Sequence, residues 1–545
     1  MGNRRGTGPL ARVVAGATIA KLTLRADLDR LGIRRLVLAI HDVSFPSDPD
    51  EDLGRGAPTT RASERLFAHA RALGFTGIQL GPQGQTSRGN PSPYDGTQLS
   101  RHLGTIAVRS LRPGGAFEGL VEPRALDAAL WRSGGRASHA HAYDAIHALV
   151  AAAYDGLARR PDLRERAGAF RRASASWLDH DAACSGDPER YAFGQFLAHD
   201  EHARLRARCP LELWGDLQIG YSECDARRAA DALLAGWAMG APPSRTNPAG
   251  QPWGYPVLDP DRFAQAGRAL VALRAGKMFG EYDGVRIDHP HGLVCPWVYA
   301  GDVQHGSRLL ESPDVPELAR FAIAREDQLD RTRPRYADDW VRELDDAQVE
   351  RYAVLFDELV AAARRHGRDP DALSCEVLST MPLPLARVLA RHGLGRWRVT
   401  QKANLDDPDD VYRVEHAAPA DWVMLGNHDT APIAAVIRGW TPARREQWAR
   451  RLAERLHLAE PARLADERFL ATAMLAELFA SRAENVSIFW ADLFGVDERF
   501  NVPGVISDDN WGLRLPPDFE QMHGLDVALA AQLALHSQIY GAERR

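Results

Sequence analysis

Short apolar runs bounded by turn residues recur along the chain, and they predict strands at Leu36–His41, Gly77–Pro82, Leu213–Tyr221, Gly284–His289, Leu373–Leu378, Arg396–Ala403, Trp422–Asp429 and Val486–Asp492. Most follow a stretch with apolar residues at helical spacing. Thr60–Leu73, Arg227–Ala238, Arg262–Gly280, Asp346–Arg365, Pro384–His392 and Pro442–His457 are the clearest. Eight strands alternating with helices predict a closed parallel (β/α)8 TIM barrel, whose polar residues at strand C-terminal ends face a common mouth. An open doubly wound sheet is the alternative architecture. Neither G-x-G-x-x-G after a strand nor G-x-x-x-x-G-K-[ST] occurs, so a nucleotide cofactor is not expected.

The spacing leaves two long insertions, at about 97–210 after the second strand and about 293–370 after the fourth. Both are expected to be helical. The first carries an Ala- and Arg-rich stretch from Ala125 to Ala207, and the second a charged, Pro-containing stretch from Ser312 to Glu343. Insertions after barrel strands stand above the active-site face and build substrate clefts. Residues 1–30 read as a leader or first helix of unknown role, and residues 31–545 as one barrel unit without a separate C-terminal β domain.

Composition narrows the function classes. With 67 Lys and Arg against 73 Asp and Glu among 545 residues, the net charge of -6 favours neither nucleic acid nor an anionic membrane as partner. The Arg-rich runs Arg164–Arg172 and Arg444–Arg455 carry apolar residues at helical spacing, as solvated helix faces do. No stretch reaches the roughly 20 apolar residues that span a bilayer. The apolar run Val13–Ala20 is interrupted on one side by Arg12 and closed by Lys21, unlike a secretory signal. Five cysteines, scattered and odd in number, argue against a disulfide framework and for a reducing cytoplasm. Metal-ligand spacing is confined to the H-x-H pairs His139/His141 and His289/His291, a weak signal without further ligands, so no metal is expected.

Three of the predicted strands end in carboxylates: Gly284-Val-Arg-Ile-Asp288-His289, Leu373-Ser-Cys-Glu376-Val-Leu, and Trp422-Val-Met-Leu-Gly-Asn427-His428-Asp429. Two carboxyl groups flanking a glycosidic bond suffice to cleave it, one as nucleophile and one as proton donor, while a third supports charge on the sugar. Period-two alternation puts Arg286 and Asp288 on one strand face, where the fixed cation keeps the carboxylate ionised. The apolar neighbours of Glu376 are expected to raise its pKa, which suits a general acid. Asp429 follows a Gly-Asn-His turn in which His428 can donate to hydroxyls.

With these runs in view, the chain resembles an amylomaltase-type 4-α-glucanotransferase of glycoside hydrolase family 77, in the α-amylase clan, from about Leu36 to Pro516. The R-I-D-H segment at Arg286–His289, the acid/base Glu at Glu376 and the H-D pair at His428–Asp429 carry the resemblance. So do Leu80-Gly-Pro82 with Ser92-Pro-Tyr94, Gly240-Ala-Pro-Pro243 with Gly250-Gln251-Pro-Trp253-Gly-Tyr-Pro256, and Asn501-Val-Pro-Gly504 with Asn510-Trp511. The resemblance implies Asp288 as nucleophile, Glu376 as acid/base and Asp429 as the third carboxylate. Arg286, His289, His428, Tyr94, Asp216, Gln251 and Trp253 would bind substrate. It also implies α-1,4-glucans and maltooligosaccharides as donors, glucose or a glucan as acceptor, no cofactor, and a covalent intermediate. An α-glucan hydrolase and a glucan-binding homologue with weak catalysis are the competing readings. Departures from the pattern accompany the match: Val377 follows Glu376 where Asp is usual, Ser379 replaces Gly, and Pro290-His291-Gly292 replaces Phe-Arg-Gly. Asn427 stands for Thr and Thr430 for Asn, and the Asp expected after the third strand falls near Cys224 or Asp225.

Overall fold

A computed structural model describes residues 24–242, 250–300, 307–309, 321–505, 507 and 509–543. Its strands, in chain order, are β1 (Arg35–Ile40), β2 (Gly77–Leu80), β3 (Glu212–Leu217), β4 (Leu233–Ala241), β5 (Gln251–Leu258), β6 (Gly284–Ile287), β7 (Trp297–Ala300), β8 (Ser307–Leu309), β9 (Leu373–Cys375), β10 (Trp397–Val399), β11 (Trp422–Met424) and β12 (Asn485–Phe489). Eight of them form one parallel sheet in the order β10-β11-β12-β1-β2-β3-β6-β9. The remaining seam, β9 to β10, is bridged by the Trp397 N–H donating to the Val377 carbonyl (3.2 Å) and by Trp397 Nε1–H donating to Ser374 Oγ (2.7 Å). The eight runs anticipated in the sequence are these eight strands, which are buried on both faces as a barrel requires.

Side chains fill the barrel in layers. At the bottom Trp214 of β3 meets Trp422 of β11 edge-on, with ring centroids 5.1 Å apart. Gly284 makes room for them, since a Cβ there would lie 2.5 Å from the Trp214 ring. Two residues along β6, and in register with Asp216 of β3, Arg286 occupies the next layer. Two further on, Asp288 reaches the mouth, as does Glu376 two residues after Ser374 of β9. The alternation that makes a strand therefore carries each chain from an aromatic plug to the polar mouth. Leu24, Leu28 and Leu31 also pack into the barrel core, while residues 1–23 of the expected leader lie outside the described residues.

The insertion between β2 and β3 is helical as expected, with helices His139–Gly156, Pro161–Ala183 and Pro188–Arg208 burying Leu149, Phe193, Phe196 and Leu197 in a core of their own. Elsewhere the structure corrects the sequence reading. Arg227–Ala238 is not one helix: a helix covers Glu223–Arg228 and β4 begins at Leu233. Its apolar residues fit a helical period, but Gly236 takes φ +82° and the run pairs instead with β5 and β7 in an antiparallel sheet ordered β5-β4-β7-β8. The described residues of 293–370 are not mainly helical either. They contribute β7, β8 and a stretch of turns closed by a Leu329–Val341 bridge, and their long helix, Asp346–Arg365, packs against helix Arg268–Glu281 of the barrel wall. Part of Ser312–Glu343, namely 312–320, lies outside the described residues. No strand follows β12 among the described residues.

The cysteine reading also needs correction. Cys184, at the end of helix Pro161–Ala183, is disulfide-bonded to Cys224 in the segment after β3, with Cα atoms 6.0 Å apart, while Cys209 and Cys375 carry free thiols. The partners are 40 residues apart in sequence. Only the docking of the insertion on the barrel brings them together, so no local spacing announces the pair.

Candidate active site

Arg286 organises the barrel mouth. Its Nη1 donates to both oxygens of Asp216 at 2.6 Å and to the Tyr94 hydroxyl at 3.2 Å, while Nη2 donates to Asp288 Oδ1 at 3.0 Å and to Glu376 Oε2. The guanidinium is fully buried, with Tyr94 and Trp397 rings 5.7 and 5.1 Å away. Three carboxyl groups therefore share one cation. Backbone bonds fix two of them, Asp288 N–H to the Leu217 carbonyl (3.1 Å) and Glu376 N–H to the Ile287 carbonyl (3.1 Å). The second Asp288 oxygen accepts the Ile219 N–H at 3.3 Å.

Electrostatics separate the two mouth carboxyls. Burial raises Asp288, but Arg286 and His289 outweigh it and hold the group at about 2. For Glu376, burial reinforced by the negative Asp288 overcomes Arg286 and pushes the carboxyl well above its usual range. The shared arginine and the burial thus drive the two apart, Asp288 towards its anion and Glu376 towards its protonated form. Asp216 also rises, to about 7, by burial against the pull of Arg286. Its side chain is completely buried behind Arg286, so it touches the mouth through the guanidinium rather than directly.

The other sequence-derived residues gather around this core. His428 stacks on Tyr94, with centroids 5.3 Å apart, and its Nε2 lies 3.5 Å from Asp429 Oδ1. Trp253 leans over His289 at 4.6 Å, and His289 takes φ +42° to meet it. Gln251 opens β5, where its amide approaches Gly504. Pro243 of the G-x-P-P motif lies outside the described residues. Of the H-x-H histidines, His139 bonds the Trp511 carbonyl (2.9 Å) and His141 the Ala129 carbonyl (3.2 Å), away from the carboxylates. Asp225 is buried, accepting the Gln98 N–H at 2.9 Å and a hydrogen bond from the Ser222 hydroxyl.

Several residues at the site carry no assigned role in the sequence reading, although Asn501 and Tyr255 stand in its motifs. His41, at the end of β1, stands 4.9 Å from the His428 ring; as the polar residue ending a predicted strand it was legible by the rule that found the carboxylates. Asn501 Nδ2 donates to Asp429 Oδ1 at 2.7 Å, and Arg499 donates to the Asp429 carbonyl at 2.7 Å. The Tyr255 hydroxyl donates to Asp95 Oδ1 at 2.6 Å, tying β5 to the Ser92–Asp95 turn beside the mouth. Donor atoms of Asp288, His289 and Glu376 lie within 4.8 Å of one another, a spacing that would suit a metal. Arg286 already supplies a cation at that point, which opposes a second one.

Against known proteins, the glycoside hydrolase family 77 model, described as 4-alpha-glucanotransferase, matches residues 181–520. The chain belongs to glycoside hydrolase family 77. Asp288, Glu376 and Asp429 fall inside the matched span. A 4-alpha-glucanotransferase of Mycobacterium tuberculosis is 39% identical over 110 residues, covering 18% of this chain and 14% of the relative. One from Chlamydia pneumoniae is 22% identical over 352 residues, covering 61% and 57%. The chain thus aligns with under two thirds of the length of these curated family members. Among solved structures, the amylomaltase of Streptococcus agalactiae in complex with acarbose superposes with TM-score 0.72 at 16% identity, covering 93% of this chain and 99% of the other. The amylomaltase of Corynebacterium glutamicum gives 0.67 at 18%, covering 94% and 76%. At those identities the likeness establishes the barrel fold.

Proposed function

We propose that this family 77 protein is a retaining 4-α-glucanotransferase that moves a segment of an α-1,4-glucan to the 4-hydroxyl of a maltooligosaccharide or glucose. The observation that carries the reading is Asp288 beside Glu376 on one buried arginine, with the first carboxyl lowered and the second raised. One oxygen of each lies within 4.8 Å of the other, which supports a nucleophile and an acid/base working on one bond. Asp288 attacks the anomeric carbon while Glu376 protonates the leaving sugar. Glu376, now ionised, takes the proton of an acceptor hydroxyl as the glycosyl-enzyme is resolved.

Asp429 binds hydroxyls of the distorted donor sugar, and Asn501 orients it by occupying Oδ1. Arg286, His289 and His428 set the charge and donors around that sugar. Tyr94 and Trp253 offer ring faces, Gln251 serves the rim, and Asp216 holds Arg286. Transfer demands that water be kept from the intermediate until a sugar arrives, and the Tyr255–Asp95 tie favours a closed mouth. The machinery requires no metal or organic cofactor. We place the enzyme in the cytoplasm, with residues 31–545 acting as one catalytic unit; no helix among the described residues is long and apolar enough to cross a membrane.

Incubation with maltotriose tests the reading. Glucose together with a ladder of longer maltooligosaccharides is the expected product pattern. Glucose and maltose without longer products would favour a hydrolase, and tight binding without turnover would favour a glucan-binding protein. Asn501→Ala is expected to slow transfer about 10- to 100-fold, the worth of one hydrogen bond to a charged group, with glucan binding measured by calorimetry changed less than the rate. An unchanged rate would remove Asn501 from the site.

A further inference from the structure

Cys184 and Cys224 form a covalent link between the first insertion and the segment after β3, beside the hydrogen bonds and the ion pair that also join them. Cys184 closes helix Pro161–Ala183 of the first insertion, and Cys224 lies in the segment that runs from β3 past the nucleophile. That segment touches the active site twice: the Ile219 N–H donates to Asp288 Oδ2 at 3.3 Å, and Gly220 packs so tightly on the Tyr94 carbonyl that a Cβ would lie 2.5 Å from it. Around the disulfide, His180 bonds the Cys224 carbonyl at 3.0 Å, Asp181 pairs with Arg228, and Asp181 Oδ1 stands 3.7 Å from Cys224 Sγ. A ring nitrogen of His180 lies within 4.8 Å of both sulfurs.

We propose that Cys184 and Cys224 are a reversible thiol–disulfide site that sets the rigidity of the cleft wall beside Asp288. Cys184 is partly exposed and Cys224 buried, so a reducing dithiol attacks Cys184 Sγ. The S–S bond breaks, the Cys224 thiolate leaves beside His180 and takes up a proton, and the second thiol of the reductant displaces the mixed disulfide. The protein gains two electrons and two protons, and the reductant leaves as its own disulfide. A cytoplasmic pair of this kind is held reduced under ordinary conditions and closes on oxidation, which is where sensing disulfides occur. The bonds of Asp225 to Ser222 and Gln98 and the Asp181–Arg228 pair remain after reduction, so the segment loosens without unfolding. The control of glucan transfer rests on the activity proposed above; the change in rigidity does not.

Two readouts separate them. Full-length protein is treated with oxidised glutathione or with dithiothreitol, and followed by hydrogen exchange and by maltotriose disproportionation. Peptides covering 218–228 are expected to exchange faster in the reduced form, and transfer to fall about three- to tenfold, within the range of remote coupling in proteins. Cys184→Ser/Cys224→Ser should sit at the reduced level under both treatments, whereas Cys209→Ser should respond as the parent does. If neither form is active, the exchange difference still carries the clamp and only the proposed activity fails. Equal exchange and equal rates in both forms overturn the proposal. So does thiol counting that finds Cys184 and Cys224 still reduced after oxidised glutathione, including the case in which bound zinc protects them.

Discussion

Asp288→Asn is expected to lose transfer activity by at least about ten-thousand-fold, a loss typical of removing a catalytic nucleophile, and to form no glycosyl-enzyme with any donor. Glu376→Gln should lose about 100- to 10,000-fold on maltotriose, the worth of a positioned general acid, but differ in kind. A maltosyl fluoride needs little protonation of its leaving group. The Glu376→Gln variant should therefore still be glycosylated on Asp288 and then stall, because no base remains to activate the acceptor. Intact-mass measurement after mixing with the fluoride distinguishes the two: an adduct accumulates in one variant and never in the other. The pH profile gives a second check. Asp288, held at about 2, stays ionised over the accessible range, so the parent loses activity on the alkaline side as Glu376 gives up its proton above the ordinary carboxyl range. With the fluoride, the glycosylation rate of Glu376→Gln should lack that alkaline limb. An adduct on Asp288→Asn would reassign the nucleophile.

These assignments were legible because a barrel strand is a period-two object. Asp288 and Glu376 follow short runs with apolar residues at most positions, and Arg286 stands two positions before Asp288, so alternation alone puts cation and anion on one face. What could not be read was the partner of each group. Asp216 pairs with Arg286 because β3 and β6 are neighbours in register, a relation between residues 70 apart in the chain. Asn501 reaches Asp429 across 72 residues, and Cys184 finds Cys224 only after a helical insertion folds back on the barrel. The β4–β5 hairpin failed for a different reason. Leu233–Ala241 is apolar enough to satisfy a helical period, and its strand state is decided by pairing with β5 and β7, where the edge of a second sheet outweighs intrinsic propensity.

Arg286→Met is expected to be the most damaging single change to stability. Methionine fits the volume and leaves Asp216, Asp288 and Glu376 buried without a cation, and stranding buried charge in this way costs about 3–5 kcal/mol. The cost should depend on pH, with a sign that identifies its origin. In the parent, Asp288 is lowered to about 2, so its contribution to stability is complete above the unfolded value of about 3.9 and is lost as pH falls towards 2. Without Arg286 the dominant influence on Asp288 becomes burial, its folded pKa rises above the unfolded one, and the neutral form favours the native state only at low pH. The deficit of Arg286→Met should thus be small near pH 4 and grow through pH 8, as read by thermal unfolding of variant and parent side by side. Adding Asp216→Asn to Arg286→Met should recover part of the alkaline loss without restoring transfer, since it removes one stranded charge and returns no cation to Asp288. A deficit equal at both pH values would mean that Arg286 matters by its packing between Tyr94 and Trp397, and the charge-sharing account of the site would fail.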